Sequence, residues 1–360
     1  MSFMDSQSRV RHIAIDCPNW VGDAVMATPA LRCMRCSYPD ARIVLVMRPY
    51  LRDIFRDAPW FDDILEYRPP GANGPFAWQR GAGYMLGTVR RLRYEDLDLA
   101  LLLTHSFRAA LLARLAGARR RVANTRGDQA FLLTDALPWP REDGERVPLP
   151  KVEAYMRLCR HLGCKYTDER QLELHYAPEV GREAERLVRK AGGDPDRSMF
   201  GIVPGASFGS AKFWNTEKFA EVADALMERH GWQAALLCGP GEAELGRQIA
   251  RNMARRPLQF DPRELTLSVL KPVVDRCHLL VTTDTGPRHI GTAFRVPTVV
   301  LMGPTHPRHT ETGYDREIVL RRDVPCGPCH LRECPRDHRC MQLITAEMVI
   351  DAAERLLRSI

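Results

Sequence analysis

Short runs of apolar residues, each followed by a polar loop and an amphipathic stretch, recur along the chain. The most apolar runs are residues 279–281 and 299–302, and the sequence Asp284-Thr285-Gly286-Pro287 lies between them. Continuous apolar runs of this length are typical of parallel strands that are covered on both faces. We therefore predict two buried strands, with a polar turn at the carboxyl end of the first and a short helix before the second.

The same alternation over the rest of the chain predicts two α/β halves. Further strands are predicted at 10–16, 42–47, 64–67, 98–103, 200–203 and 234–238, and further helices at 24–36, 109–116, 152–162, 216–230 and 346–360. Pro29, about a turn into its helix, predicts a local break there. The fold class expected is α/β with two facing Rossmann-like domains and a cleft between them.

The predicted domain boundaries follow from changes in composition. We expect an N-terminal domain at 1–176, a linker at 177–197 that contains a charged helix, and a C-terminal domain at 198–345. The last helix, 346–360, has an apolar stripe and is expected to pack back toward the N-terminal domain. Residues 68–87 are rich in Gly and Pro and are interpreted as a loop, and residues 119–150 as a basic, loop-rich segment.

Composition excludes several classes of protein. Of the 360 residues, 45% are hydrophobic and 27% are charged, and no apolar run approaches the length of a membrane span. The polar first eight residues and an odd number of cysteines, 11, favour a reduced, cytoplasmic protein. The net charge of +7 comes almost wholly from arginine, which suits phosphate and carboxylate ligands but is too dilute to indicate nucleic acid.

Polar residues of the second half gather where predicted strands end, which is where α/β sheets bind ligands. The loop 204–214 contains Ser207, Ser210 and Lys212 before a helix, and these residue types suit a diphosphate. The backbone amides after Asp284 and the hydroxyl of Thr285 would also face an anion. The competing interpretation is that Asp284 only caps the following helix.

In the first half, Asp23 follows the first predicted strand and stands at the start of a helix, where a capping role again competes with a catalytic one. Asp96-Leu97-Asp98 is similar to a metal-binding motif of sugar transferases. It precedes its strand, however, and so lies at the wrong end of the sheet for a ligand site.

Four cysteines near the end of the chain, Cys326, Cys329, Cys334 and Cys340, are accompanied by His330 and His338. The first pair has the C-x2-C spacing of zinc sites, but the remaining gaps are cramped for a tetrahedral ion. A reduced, packed cluster without metal is the prediction, with zinc as the alternative.

Taken together, the sequence Asn19-Trp20-Val21-Gly22-Asp23, the loop 204–214, Asp284-Thr285-Gly286 with His289, and the cysteine-containing tail resemble glycosyltransferase family 9. The likeness runs over almost the whole chain and is greatest to the heptosyltransferases of the lipopolysaccharide inner core. It implies a GT-B fold, an ADP-heptose donor, a heptosyl-Kdo-lipid A acceptor, inversion at the anomeric carbon, and no metal or other cofactor. An epimerase of the same plan and a non-catalytic nucleotide-sugar-binding protein are the alternatives.

The resemblance also implies roles for individual residues. It makes Asp23 the general base, Lys212 the phosphate-binding lysine, and Asp284, Thr285, Gly286 and His289 the donor-binding turn. Glu244 corresponds to a ribose-binding carboxylate, with Glu242 as its competitor. Arg108 and Arg126, together with the run at 119–121, are expected to receive an anionic acceptor. Because that acceptor is a lipid, contact with the inner membrane surface is also expected.

Overall fold

The computed structural model describes residues 10–68, 77–165 and 170–359. The chain divides into two compact units, Met1–Gln171 and Leu172–Ile360. The strands of the first unit are β1 (His12–Asp16), β2 (Arg42–Met47), β3 (Asp63–Glu66), β4 (Leu99–Leu102), β5 (Arg120–Thr125), β6 (Asp135–Pro138), β7 (Arg141–Glu142) and β8 (Glu145–Arg146). Its helices are α1 (Val21–Met26), α2 (Thr28–Ser37), α3 (Arg52–Phe55), α4 (Ala77–Tyr94), α5 (Phe107–Leu115) and α6 (Lys151–His161).

The second unit has a similar series of elements. Its strands are β9 (Met199–Val203), β10 (Gln233–Leu236), β11 (Leu258–Gln259), β12 (Cys277–Thr283), β13 (Thr298–Met302) and β14 (Glu317–Arg321). Its helices are α7 (Pro178–Lys190), α8 (Thr216–His230), α9 (Ala243–Asn252), α10 (Leu267–Asp275), α11 (Gly286–Ala293), α12 (Arg339–Gln342) and α13 (Ala346–Arg358).

Each unit is built on a six-stranded parallel sheet. The strand orders are β3-β2-β1-β4-β5-β6 and β11-β10-β9-β12-β13-β14, so the second sheet repeats the order of the first. This is the Rossmann order, in which ligands bind beyond the carboxyl ends of the strands. We call that side of each sheet its carboxyl edge, and the opposite side its amino edge. The prediction of two Rossmann-like α/β domains is confirmed.

The cores follow directly from the apolar runs. All residues of β9 and β13 are buried, as expected for strands that helices cover on both faces. Residues that favour helix ends cap α8 at both termini. Asn215 accepts hydrogen bonds from two amides at the start of α8, and Gly231 ends that helix in the left-handed conformation.

The helix predicted at 24–36 is broken, as Pro29 indicated. Two helices, α1 and α2, meet at Ala27, and Pro29 stands in the first turn of α2, where its missing N–H leaves no helical hydrogen bond unmade. The break gives Asp23 a short helix of its own directly after β1.

Two loop predictions for the first unit were wrong in part. Residues 77–94 form α4, although the segment 68–87 was interpreted as a loop; residues 69–76 lie outside the described residues. Residues 119–150 contain β5, β6 and the β7–β8 hairpin. The glycines of α4 and the charges of β5 obscured the periodicity, and tertiary pairing outweighed local propensity.

The unit boundary also differs from the prediction. Most of the segment 177–197 is α7, the charged helix expected there, and it packs on α10 within the second unit. The stripe of α13, formed by Val349, Ala352 and Leu356, is buried in the core of the second unit. Among the described residues, no helix is long and apolar enough to cross a bilayer.

Candidate functional site

Four charged side chains are buried in one network, which extends from the carboxyl end of β12 to the first residue of β14. We call it the buried quartet: Lys212, Asp284, Arg288 and Glu317. Lys212 Nζ lies 2.7 Å from Asp284 Oδ2, and Arg288 Nη1 lies 2.8 Å from Asp284 Oδ1. Arg288 also binds Glu317 through Nε at 2.8 Å and Nη2 at 2.6 Å. Two positive and two negative charges balance, as buried charges must.

The network keeps the carboxyl of Asp284 ionised. Burial alone would raise the pKa of this carboxyl, but the charges of Lys212 and Arg288 outweigh it and hold the pKa well below its usual value. The hydroxyl of Thr305 donates a further hydrogen bond at 2.8 Å. Asp284 does not cap α11, since Thr285 is the N-cap. With three donors already bound, Asp284 serves first to hold Lys212 in place.

Lys212 belongs to a single 3₁₀ turn, Ser210–Lys212, at the end of the loop 204–214. Its Nζ donates to the carbonyl oxygen of Asp284 at 2.6 Å as well as to the carboxylate. An ammonium group has three hydrogens, so one remains for a ligand beyond these two bonds. The structure thus brings together Lys212 and the turn after β12, as the sequence predicted.

The start of α11 offers further groups for a ligand. Thr285 and Gly286 are partly exposed, and the side chain of the N-cap residue Thr285 makes no hydrogen bond to the amides of this helix. Within the described part of the chain, the buried Nδ1 of His289 has no hydrogen-bond partner. Burial and the charge of Arg288 lower the pKa of His289 to about 3, so its ring is neutral. An uncapped helix start and a neutral imidazole suit a ligand that carries anionic and hydroxyl groups.

The loop 204–214 is held from two sides. The hydroxyl of Thr283 donates to the carbonyl oxygen of Gly205 at 2.7 Å, and the amide of Ala211 donates to the carbonyl oxygen of Arg332 at 2.9 Å. Gly209 has a φ of 151°, and a Cβ there would lie 2.3 Å from that same oxygen. Arg332 belongs to the cysteine-containing tail, so one structural role of the tail is to fix this loop.

Ser207 and Ser210 are exposed on the loop. Ser210 begins the 3₁₀ turn that ends at Lys212.

Glu242, and not Glu244, lies beside this loop. A Cβ on Gly205 would lie 1.9 Å from the carboxyl carbon of Glu242, so the loop approaches this carboxylate closely. Burial raises the pKa of Glu242, and the amide of Gly239 donates to it at 2.8 Å. Glu244 is exposed and pairs with Arg247 on its own helix. The predicted ribose contact therefore fits Glu242 better, a choice that spacing alone left open.

Asp23 lies at the carboxyl edge of the first sheet, in the first turn of α1. The N-cap of this helix is Trp20, so Asp23 is not its cap. Its Oδ2 lies 3.5 Å from Nζ of Lys151 at the start of α6, and the two side chains are 21% and 28% exposed, respectively. Asp23 therefore remains accessible to a ligand, and Lys151 is a neighbour that the sequence did not indicate.

Arg108 and Arg126 also lie at this carboxyl edge, each against an aromatic ring. The guanidinium carbon of Arg108 is 4.1 Å from the ring centre of Tyr67, and that of Arg126 is 5.7 Å from Trp139. These contacts orient the two side chains without neutralising them.

The run 119–121 lies elsewhere, at the amino edge. There Arg119 pairs with Asp96 and Asp98, and Arg120 with Asp135. The run is therefore paired at the opposite edge from Asp23, and the same pairing gives Asp96 and Asp98 a structural role.

Two further groups at the first carboxyl edge were missed in the sequence. Asp16, the last residue of β1, accepts a hydrogen bond from Thr104, and burial raises its pKa to about 6. Arg48 donates to the side chain of Asn19 at 2.8 Å and orders the loop before Asp23. Asp16 ends one predicted strand and Arg48 follows another, and that position was the available signal.

The four cysteines of the tail are free thiols, and Cys340 is buried. Burial and the neighbouring cysteines raise the pKa of Cys340. Within the described residues, no group of three or more His, Cys, Asp or Glu side chains has an arrangement that could hold a metal ion.

The chain is similar to proteins of a known family. Residues 85–339 match the profile of the family described as glycosyltransferase family 9 (heptosyltransferase). Lipooligosaccharide heptosyltransferase 2 of Campylobacter jejuni is 25% identical over 96% of this chain and 98% of its own length. Lipopolysaccharide heptosyltransferase 2 of Escherichia coli K12 is 29% identical over 84% of this chain and 86% of its own.

A solved structure extends the likeness to the whole fold. The glycosyltransferase family 9 protein of Veillonella parvula superposes with a TM-score of 0.81 and 23% identity, covering 97% of this chain and 98% of that one. Its match spans both Rossmann-like units, in keeping with the GT-B fold class. The family profile covers more than half of the chain, and the chain therefore belongs to glycosyltransferase family 9, the heptosyltransferases.

Proposed function

We propose that this heptosyltransferase transfers a heptosyl residue from ADP-heptose to the heptosyl-Kdo-lipid A inner core of lipopolysaccharide, with inversion and without a metal ion. The observation that carries the proposal is the contact between Lys212 and Asp284, which fixes a cation beside the uncapped start of α11. A fixed cation next to free amides is what a departing diphosphate requires. The names of the relatives support a heptose-bearing core acceptor.

In this proposal the second unit binds the donor. The remaining hydrogen of Lys212, the amides at the start of α11 and the hydroxyls of Ser207 and Ser210 meet the diphosphate. Glu242 accepts hydrogen bonds from the ribose.

The other members of the buried quartet hold Lys212 in position, and the neighbouring turn binds the heptose. The neutral ring of His289 and the hydroxyl of Thr285 face the sugar, and Gly286 allows close approach of the backbone.

The first unit binds the acceptor and activates it. Asp23 takes the proton of the acceptor hydroxyl as its oxygen bonds to the anomeric carbon, and the bond from that carbon to the phosphate oxygen breaks on the opposite face. ADP leaves with the bonding electrons, and Arg108 and Arg126 bind carboxylates or phosphates of the acceptor. Since the acceptor is a membrane lipid, we place the enzyme peripherally at the cytoplasmic face of the inner membrane.

The test is a transfer assay with ADP-heptose and inner-core acceptors that bear no, one or two heptoses. We expect ADP release together with a mass gain of one heptose on the singly heptosylated acceptor. Asp23→Asn should lower kcat about 10² to 10⁴-fold with little change in ADP affinity. Its control is the melting temperature, which this nearly isosteric change should hardly alter.

Other outcomes would point elsewhere. Transfer only to another acceptor would correct the step in core assembly. Free sugar released without an acceptor would favour an epimerase. ADP binding without any turnover would favour a binding protein, and normal turnover by Asp23→Asn would remove the proposed base.

A further inference from the structure

His105 lies just beyond the end of β4, on the same carboxyl edge as Asp23, and neither the buried quartet nor the proposed reaction uses it. Its Nδ1 lies 3.1 Å from the backbone carbonyl oxygen of Asn124. A carbonyl oxygen only accepts hydrogen bonds, so Nδ1 carries the hydrogen. In the neutral ring, Nε2 is then left with a lone pair and acts as an acceptor.

The ring is held firmly in this orientation. Asn124 is buried, its amide nitrogen donates to Ala154 at 2.7 Å, and its amide oxygen accepts from Arg157 at 3.2 Å. The ring of His105 also packs edge-on against Trp139, with the two centres 5.0 Å apart. Turning the imidazole over would break the bond to Asn124, so the position of Nε2 is fixed before any ligand binds.

The surroundings keep the ring neutral. Burial lowers the pKa of His105, and the charges of Lys151 and Arg126 lower it further, while the hydrogen bond to Asn124 and the charge of Asp23 act in the opposite direction. Lys151 and Arg126 come from α6 and from the end of β5, the elements around this edge. At neutral pH the ring therefore presents a lone pair rather than a second N–H.

Within the described part of the chain, Nε2 of His105 has no hydrogen-bond donor opposite it, and the side chain is partly exposed. The site thus combines one fixed acceptor atom with two nearby cations. A ligand that matches it has a hydroxyl group for Nε2 and anionic groups for the cations, which is the chemistry of an acidic sugar.

We propose that Nε2 of His105 accepts a hydrogen bond from a sugar hydroxyl of the acceptor and so helps to select and orient it. This inference rests on the proposed function of the first unit and adds a binding residue to it. Asp23 remains the base that removes the proton, and the hydroxyl bound by His105 is one that does not react.

Two substitutions separate the two ring nitrogens. In His105→Asn the amide nitrogen takes the place of Nδ1 and keeps the bond to Asn124, but nothing replaces Nε2. In His105→Gln the amide oxygen reaches the place of Nε2 and can accept a hydrogen bond. We expect His105→Asn to raise the acceptor KM about 10-fold with kcat and ADP affinity unchanged, and His105→Gln to lie close to the wild type.

Steady-state kinetics with varied acceptor, and titration of the delipidated acceptor saccharide into each variant with ADP bound, provide the measurements. An unchanged KM in His105→Asn would overturn the inference, as would a fall in kcat alone. Equal losses in both variants accompanied by lower melting temperatures would mean that the histidine is only structural.

The titration distinguishes this inference from the proposed function. If the wild type transfers no heptose but binds the saccharide more tightly than His105→Asn does, the inference holds and the reaction must be reassigned. If the wild type transfers heptose and His105→Asn equals it in both measurements, only the inference fails. If the wild type neither transfers nor binds, both fail.

Discussion

The two sheets have the same strand order, yet the two units differ in how deeply their charged site residues are buried. In the second unit, Lys212, Asp284, Arg288 and Glu317 satisfy one another and are almost entirely buried. In the first unit, Asp23 and Lys151 stand 3.5 Å apart and remain partly exposed. Removing one charge from a buried set leaves another uncompensated, whereas an exposed charge keeps its solvation. The buried quartet of the second unit is therefore rigid, whereas Asp23 and Lys151 in the first unit remain accessible to a ligand.

The largest expected effect tests the buried quartet. Asp284→Ala leaves Lys212 and Arg288 with only Glu317, a net positive charge in the interior, and should lower the free energy of unfolding by about 3–5 kcal/mol. Urea unfolding measures this loss. Asp23→Ala is the matched control from the first unit, where we expect a loss of less than about 1 kcal/mol. Similar losses in the two variants would erase the contrast between the units.

A second experiment measures whether Arg288 and Glu317, two members of the buried quartet, are energetically coupled. Arg288→Met and Glu317→Leu should each cost roughly 3 kcal/mol of unfolding free energy, because each leaves the other charge buried without its partner. The double variant removes one charge of each sign and should regain part of the loss, with a coupling energy of about 0.5–3 kcal/mol. Strictly additive losses in chemical denaturation would contradict a shared network.

The carboxyl of Asp16, at the first edge, has a raised pKa and should make stability depend on pH. The pKa of Asp16 is raised to about 6 in the folded protein. Between about pH 4 and pH 6 the folded protein therefore keeps this proton, whereas the unfolded chain, with a pKa near 4, loses it. Stability should therefore fall as pH rises from about 4 to about 6 and remain lower above that.

Asp16→Asn should accordingly be about 1–3 kcal/mol more stable than the wild type at pH 8 and equal to it at pH 4. Melting temperatures across this range provide the measurement. A difference that does not vary with pH would exclude the titration of Asp16 as its cause.

Glu242 and Glu244 form a matched pair within the second unit. Glu242→Ala should weaken ADP binding about 10-fold, because its carboxylate lies against the loop of Lys212 and is proposed to bind the ribose. Glu244→Ala should leave ADP affinity unchanged, since that side chain is exposed and pairs with Arg247. Calorimetric titration of both variants with ADP measures the two affinities. A larger loss in Glu244→Ala than in Glu242→Ala would show that Glu244, the residue predicted from sequence, binds the ribose.

The smallest effect compares the two ends of the first sheet. Arg108→Ala, at the carboxyl edge, should raise the acceptor KM about 3 to 5-fold without changing ADP affinity, as expected for one partly exposed charge. Arg119→Ala removes an equivalent charge at the amino edge, where the side chain is already paired with Asp96 and Asp98, and should leave KM unaltered. Equal changes would indicate a general effect of net charge.

Local sequence pattern predicted much of this fold. The runs that became β2, β9 and β13 were identified because strands covered on both faces need apolar residues at every position. The break at Pro29 followed from the missing N–H of proline. Because polar residues after such strands converge on one edge of a sheet, Lys212 and the turn at Asp284 could be grouped without coordinates.

The remaining features depend on residues that are distant in sequence. Arg288 and Glu317 are 29 positions apart and meet only because β13 and β14 are neighbours. No periodicity encodes which of Glu242 and Glu244 turns toward the loop, or that the carbonyl of Asn124 fixes the tautomer of His105. Apolar pattern and backbone chemistry act over a few residues, so the sequence alone determined the elements with clear apolar runs but not α4, β5 or β6. Burial and the pairing of charges depend on which elements pack together, and only the tertiary structure decided them.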